Sequence, residues 1–343
     1  MRAAIYESFG GPIKVVEVAP PDAAAGELVV EVLAVGLCRS DYHGWHGTDA
    51  DIVCPHVGGH EFVGRIVAVG SGLTGFEPGQ RVVAPFSCGC GACETCRRGE
   101  HQACAIAQQP GFTRWGAFAQ FCTVPYAATN AVFVPETLSD EAAALIGCRV
   151  STAYRAVVER GRIAASEVLC VYGCGGVGLA AVGFGRALDA YVIAIDRSPA
   201  PLALASEMGA DVVLDASTID DVPSAIQEMV GGAHVSVECL GNAAVASNSI
   251  RSLRALGRHV QVGLFPAATD ELPISHVIRH ELEILGVHGL SAARFHAVFA
   301  LINDRGFNPA AMITQRLTLD DIPSALPAMA AFQQPGVSVV TKL

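Results

Sequence analysis

The chain is 343 residues long, 51% hydrophobic and only 16% charged, with 36 glycines and a formal net charge of −11 at pH 7. Single cores stop growing at roughly 250–300 residues, so two domains are expected, and the composition is that of a compact α/β protein with many tight turns, not of a disordered or fibrous chain. The acidic balance argues against nucleic acid and against an anionic membrane surface as partners, because both attract a basic face.

The opening Met1-Arg2-Ala3-Ala4-Ile5-Tyr6-Glu7 has no apolar h-region, and no uninterrupted apolar run reaches the roughly 18 residues of a membrane span. A cytoplasmic protein with no membrane partner is expected. Residues 1 to about 135 read as short strands between glycine and proline turns, with strands over 27–35, 62–69 and 80–84. After Pro135 longer helical stretches alternate with short aliphatic strands, beginning at Ser139, whose place before Asp140 and Glu141 marks a helix N-cap. A strand over 167–172 leads to a helix over 177–188, and a strand over 191–195 to a helix over 201–208. Further strands are expected over 212–214, 235–238 and 259–262. This βαβ repetition implies a doubly wound parallel sheet. Beyond about Gly289, a helix over 292–302 and a last strand over 336–343 leave the rhythm, which predicts a return of the chain to the first domain.

Two kinds of motif carry chemistry. Cys90-x2-Cys93-x2-Cys96-x7-Cys104 sets four thiols within fifteen residues, enough to close around one tetrahedral zinc as a structural site. An iron–sulfur cluster is disfavoured, because the ferredoxin run continues with three residues and then Cys-Pro, whereas here seven residues intervene and Ala105 follows. A sparser set, Cys38, His60 and Cys148, could hold a second zinc with one position open for chemistry. The remaining six of the twelve cysteines read as buried thiols, since the cytosol keeps thiols reduced. Gly173-Cys174-Gly175-Gly176-Val177-Gly178 follows a predicted strand, opens a predicted helix and is answered by Asp196 at the end of the next strand. Glycines there let the backbone approach a pyrophosphate, and an aspartate can accept the adenosine-ribose hydroxyls. Its charge repels a 2′-phosphate, which favours NAD over NADP, although Arg197 stands beside it.

Gly36-Leu37-Cys38-Arg39-Ser40-Asp41, Gly59-His60-Glu61, the four-cysteine lobe, Gly147-Cys148 with Ser151-Thr152, and the glycine loop occur in the order and roughly the spacing of one family. Over nearly its whole length the chain resembles the zinc-dependent alcohol dehydrogenases of the medium-chain dehydrogenase/reductase family. The resemblance implies a GroES-like, β-rich catalytic domain over 1–149, a Rossmann NAD-binding domain over 150–289 and a return to the catalytic domain over 290–343. Cys38, His60 and Cys148 would bind the catalytic zinc, with Asp41 and Glu61 behind them orienting the imidazole. Arg39 would contact the coenzyme pyrophosphate, Thr152 would lie near the nicotinamide, and Ser40 with His43 would relay the alcohol proton to solvent. Phe86 and Trp115 would wall the alcohol pocket. A homodimer or homotetramer is implied. Pro201 and Ser338 stand where many members carry a lysine and an arginine that hold the coenzyme, which predicts faster coenzyme release.

The expected reaction is oxidation of small alcohols to aldehydes or ketones, and its reverse, with two zinc ions per chain and NAD. A polyol or amino-alcohol dehydrogenase is the nearest alternative, and Cys148 speaks against it, since polyol dehydrogenases commonly have Glu at that position. A non-catalytic nucleotide-binding or redox-sensing relative is the alternative from another class.

Overall fold

The computed structural model describes residues 1–265, 272–331 and 335–343. The chain divides into two compact units, one of Met1–Ser151, Gly289–Phe299 and Ile313–Leu343, the other of Thr152–His288 and Ala300–Met312. Among the described residues no helix is long and apolar enough to cross a membrane.

In the first unit Leu28–Leu37 is the axis of a seven-stranded sheet. It pairs antiparallel with Glu61–Val69, with Phe121–Val124 and with the last strand Val337–Lys342, which itself runs parallel to Ile313–Thr318. Leu28, Val30, Val35, Phe62, Ile66 and Val340 are all buried in its core. Register matters for function, because Gly36 lies opposite Glu61. Antiparallel pairing therefore brings the residue after one strand, Cys38, beside the residue before the other, His60.

The second unit holds six parallel strands in the order Val212–Asp215, Tyr191–Asp196, Val168–Tyr172, Ala233–Glu238, Leu253–Gln261, Glu283–Gly286. Helices cover parallel strands on both faces, so such strands are apolar throughout, and all five residues of Val168–Tyr172 are buried. The winding direction reverses between Val168–Tyr172 and Ala233–Glu238, the switch point at which doubly wound folds bind ligands. Ala300–Met312 belongs to this unit, whereas the sequence placed all of 290–343 with the first. The reason is packing: a side chain at Gly183 would come within 2.3 Å of the Phe307 ring, so the missing Cβ lets Phe307 dock on helix Gly176–Ala187, 4.8 Å from Phe184.

Candidate active site

Cys90, Cys93, Cys96 and Cys104 bring their sulfurs within 4.8 Å of one another, with Cys90 to Cys96 at 3.9 Å and Cys93 to Cys104 at 3.8 Å. A tetrahedron with Zn–S bonds of about 2.3 Å has edges of about 3.8 Å, so the lobe fits zinc. The loop backbone favours the thiolate at Cys90 and Cys93, whereas burial pushes the Cys96 thiol up to about 12. Amides of Ala92 and Cys93 draw the Cys90 thiol down to about 6, and the Cys96 N–H, which caps onto Cys93, lowers that thiol too.

Cys38, His60 and Cys148 form the second cluster, again with all ligand atoms within 4.8 Å. Two thiols and an imidazole are a zinc donor set that leaves one tetrahedral position free. Each comes from a different local device. Cys38 is the N-cap of helix Arg39–His46, whose first turn supplies Asp41. His60 sits in the extended chain entering Glu61–Val69. Cys148 lies in the widened turn Ile146–Val150, held by the Gly147 carbonyl accepting from Phe86 N–H at 2.9 Å. A side chain at Gly147 would come within 2.7 Å of the Ala84 carbonyl, so glycine is what allows that turn to lie against the sheet.

Asp41 is buried and accepts from three donors: His60 Nδ1 at 2.8 Å, Gly59 N–H at 3.0 Å and Cys38 N–H at 3.0 Å. The bond sets the imidazole hydrogen on Nδ1 and leaves Nε2 available to a metal. Cys38, hydrogen-bonded by the Cys148 thiol and next to His60 and Arg149, is held well below the ordinary thiol range. Glu61 departs from expectation. The resemblance puts it behind the ligands orienting the imidazole, but neighbouring residues of an extended chain point to opposite sides, and its carboxylate instead pairs with Arg149.

The remaining expected residues take varied places. Ser40 and His43 share one face of the helix Arg39–His46, three residues apart. Burial and the Arg39 charge hold the His43 imidazole below its usual range. Arg39 donates to the Met329 carbonyl and lies 5.2 Å over the Tyr42 ring. Phe86 is buried with its ring 6.0 Å from His60, edge to face. Trp115 is 38% exposed, and its indole N–H donates to Pro55 at 3.0 Å. Phe112, not singled out from sequence, is closer to His60 than either, with ring centroids 5.0 Å apart. Arg149 was also missed; a charged residue directly after a cysteine ligand in an otherwise apolar stretch was the available signal.

In the second unit three glycines do three jobs. Gly173 has φ +93°, the left-handed turn that ends the strand. At Gly178 a Cβ would come within 1.8 Å of the Gly173 carbonyl, so only glycine lets the helix start so close to the loop. Gly175 is exposed with nothing within 4 Å of its would-be Cβ, a clear approach for a ligand phosphate to the N-terminus of helix Gly176–Ala187, which Gly176 and Val177 begin. Asp196 ends its strand and accepts from Cys174 N–H at 2.8 Å, Arg197 N–H at 2.7 Å and Ser198 N–H at 3.1 Å, which ties the glycine loop to the neighbouring strand. These residues fit a dinucleotide. Arg197 is exposed and Thr152 is buried at the start of helix Ser151–Tyr154.

Residues 24–136 match the family model described as the alcohol dehydrogenase GroES-like domain, and residues 176–304 match that of the zinc-binding dehydrogenases. An alcohol dehydrogenase of Geobacillus stearothermophilus is 35% identical over 83% of this chain and 84% of its own. The chain belongs to the zinc-type alcohol dehydrogenases of the medium-chain dehydrogenase/reductase family. Its fold agrees: the alcohol dehydrogenase of Thermus sp. ATN1 superposes with a TM-score of 0.90 at 28% identity, all of both chains being covered. A sorbitol dehydrogenase of Halalkalibacterium halodurans is 27% identical over 96% of each chain. As a zinc-type dehydrogenase the chain is an oxidoreductase of alcohols or polyols that works with zinc and a nicotinamide coenzyme.

Proposed function

We propose that this dehydrogenase oxidises small, largely apolar alcohols to aldehydes or ketones, and runs the reverse, with NAD and two zinc ions per chain. The observation that carries the reading is the donor set of Cys38, His60 and Cys148, three soft ligands beside a closed four-cysteine lobe. Zinc held by those three supplies Lewis acidity that lowers the pKa of an alcohol. NAD supplies the hydride acceptor. The chain's own residues do the rest. Ser40 takes the alcohol proton and passes it to His43, one helical turn on and exposed to solvent, whose imidazole is held below its usual range by burial and the Arg39 charge.

Asp196 accepts the adenosine-ribose hydroxyls and excludes the 2′-phosphate; Gly173 and Gly178 shape the loop, and the pyrophosphate approaches past Gly175 to the helix N-terminus. Arg39 serves the pyrophosphate and Thr152 the nicotinamide. Phe86 and Phe112 flank His60 and make an apolar wall, which supports aliphatic or aromatic alcohols, since extra hydroxyls there would lose their hydrogen bonds. The near full-length likeness to a sorbitol dehydrogenase supports a polyol as the second reading. A cytoplasmic homodimer or homotetramer is part of the proposal. Ile284 in the outermost strand Glu283–Gly286 and Ile274 and Ile278 in helix Ile274–His280 are exposed, apolar area that a second copy would cover. The test is NADH formation from NAD with a panel of primary alcohols and sorbitol. Faster turnover of hexanol supports the reading, and faster turnover of sorbitol replaces it with the polyol one.

A further inference from the structure

Each of the three residues of the catalytic cluster has an immediate chain neighbour in one buried ion-paired group: Leu37 precedes Cys38, Glu61 follows His60, and Arg149 follows Cys148. Arg149 Nε donates to Glu61 Oε2 at 2.6 Å, Nη2 reaches the same oxygen at 2.5 Å, and the Arg149 backbone N–H donates to Oε1 at 2.8 Å. Arg149 Nη2 also donates to the Leu37 carbonyl at 3.1 Å. The side chains are 5% and 0% exposed, so the pair is dry and its geometry is not loosened by water. Gly36 makes the room, since a Cβ there would stand 2.4 Å from Glu61 Oε2 and 3.2 Å from Arg149 Nη2.

The ties are unequal. Asp41 joins Cys38 to His60 but bonds nothing in the turn that carries Cys148. The Glu61–Arg149 pair joins that turn to both other segments at once, and only a planar guanidinium fork can reach a carboxylate and a carbonyl in fixed directions together. We propose that Glu61 and Arg149 are positioning residues, a brace that holds Cys148 in register with Cys38 and His60 so that the three donors stand assembled before a metal arrives. The inference rests on the reading that Cys38, His60 and Cys148 hold a metal. It gives Glu61 a task other than touching the imidazole, and it makes Gly36 part of the metal centre although it contributes no ligand.

The test is the rate at which zinc leaves the loaded full-length protein for a chromogenic chelator, in the wild type and in Arg149→Met, Arg149→Lys and Gly36→Ala. The four-cysteine lobe is an internal reference, since the brace does not touch it. Expected are two zincs per wild-type chain. Arg149→Met should release one of them about 10–100-fold faster, the usual scale for losing a group that supports a ligand, with the second unchanged. Arg149→Lys should fall between, for lysine keeps the charge without the fork, and Gly36→Ala should also release one zinc faster because it displaces the pair while leaving both of its members. Wild-type release of both zincs from Arg149→Met and Gly36→Ala overturns the brace. If Arg149→Met loses the lobe zinc as well, it has failed to fold, and Arg149→Lys with Gly36→Ala then decide on the same criterion. A wild type holding only the lobe zinc overturns the underlying reading, a result distinct from the failure of the brace.

Discussion

On the proposed reading, coenzyme choice follows from the charge on Asp196. Its carboxylate already accepts three backbone N–H groups, from Cys174, Arg197 and Ser198, so it is fixed in place at the strand end. A 2′-phosphate on a ribose held there would come within about 4 Å, where two unit charges repel by about 4 kcal/mol at an effective dielectric of about 20. Asp196 is only half-buried, and solvent roughly halves that figure. About 2 kcal/mol is a factor of roughly 30 in kcat/KM. Wild type should therefore prefer NAD to NADP by at least about 30-fold in alcohol oxidation. Asp196→Asn removes the charge at constant shape and should bring the ratio to within a few-fold of unity, while Asp196→Gly should lower kcat/KM for NAD further by loosening the glycine loop. Equal or better kcat/KM with NADP in the wild type would refute the placement of Asp196 against the ribose.

Ser40→Ala should lower kcat by orders of magnitude with zinc content unchanged, and His43→Gln should cause a milder loss that added buffer partly restores; near-wild-type turnover of Ser40→Ala would exclude the relay. His259 gives a pH prediction. It is buried in the second unit with Ser236 and Ser249 hydroxyls at 3.1 and 3.2 Å and Gln261 at 3.1 Å, and burial pushes its imidazole down to about 4. The unfolded chain, titrating near 6.5, then binds the extra proton between about pH 6.5 and 4, so this stability is complete above that window and is lost as pH falls through it. From about pH 7 to pH 5 the wild type should lose about 2 kcal/mol more unfolding free energy than His259→Asn, as measured by denaturant unfolding at each pH. Identical pH dependence would remove His259 from the account. Phe86→Ala should raise kcat/KM for bulky alcohols relative to ethanol, whereas Trp115→Ala, its indole tied to Pro55 and a third exposed, should change the ratio little.

What the sequence made legible was local. The four-cysteine lobe needs nothing beyond a loop of fifteen residues, and the glycine loop with Asp196 is fixed by one βαβ unit; both were readable as strings. The expected Ser139 cap is also local, its hydroxyl accepting from Ala142 N–H at 3.2 Å. Interactions between distant segments were illegible. Glu61 and Arg149 are 88 residues apart, and Arg39 and Met329 are 290 apart; no period or spacing reports such pairings. Helix Arg39–His46 went unseen because its N-cap is a cysteine and Gly44 breaks its pattern. Leu253–Gln261 was shortened to its last residues because Arg254, Gly257 and Arg258 interrupt the apolar run, although backbone pairing carries the strand past a bulge. Ala300–Met312 was misassigned because the partner of Phe307 is an absent side chain at Gly183, and sequence patterns do not show where space is left.

Zinc content measured together with turnover tests the central claim most directly. The wild type should carry two zincs per chain and reduce NAD with hexanol. Cys38→Ser should keep its fold and the lobe zinc, lose the other, and stop turning over, since the lobe closes on its own four sulfurs. One zinc or fewer in the wild type, iron in the lobe, or unimpaired turnover by Cys38→Ser would contradict the account.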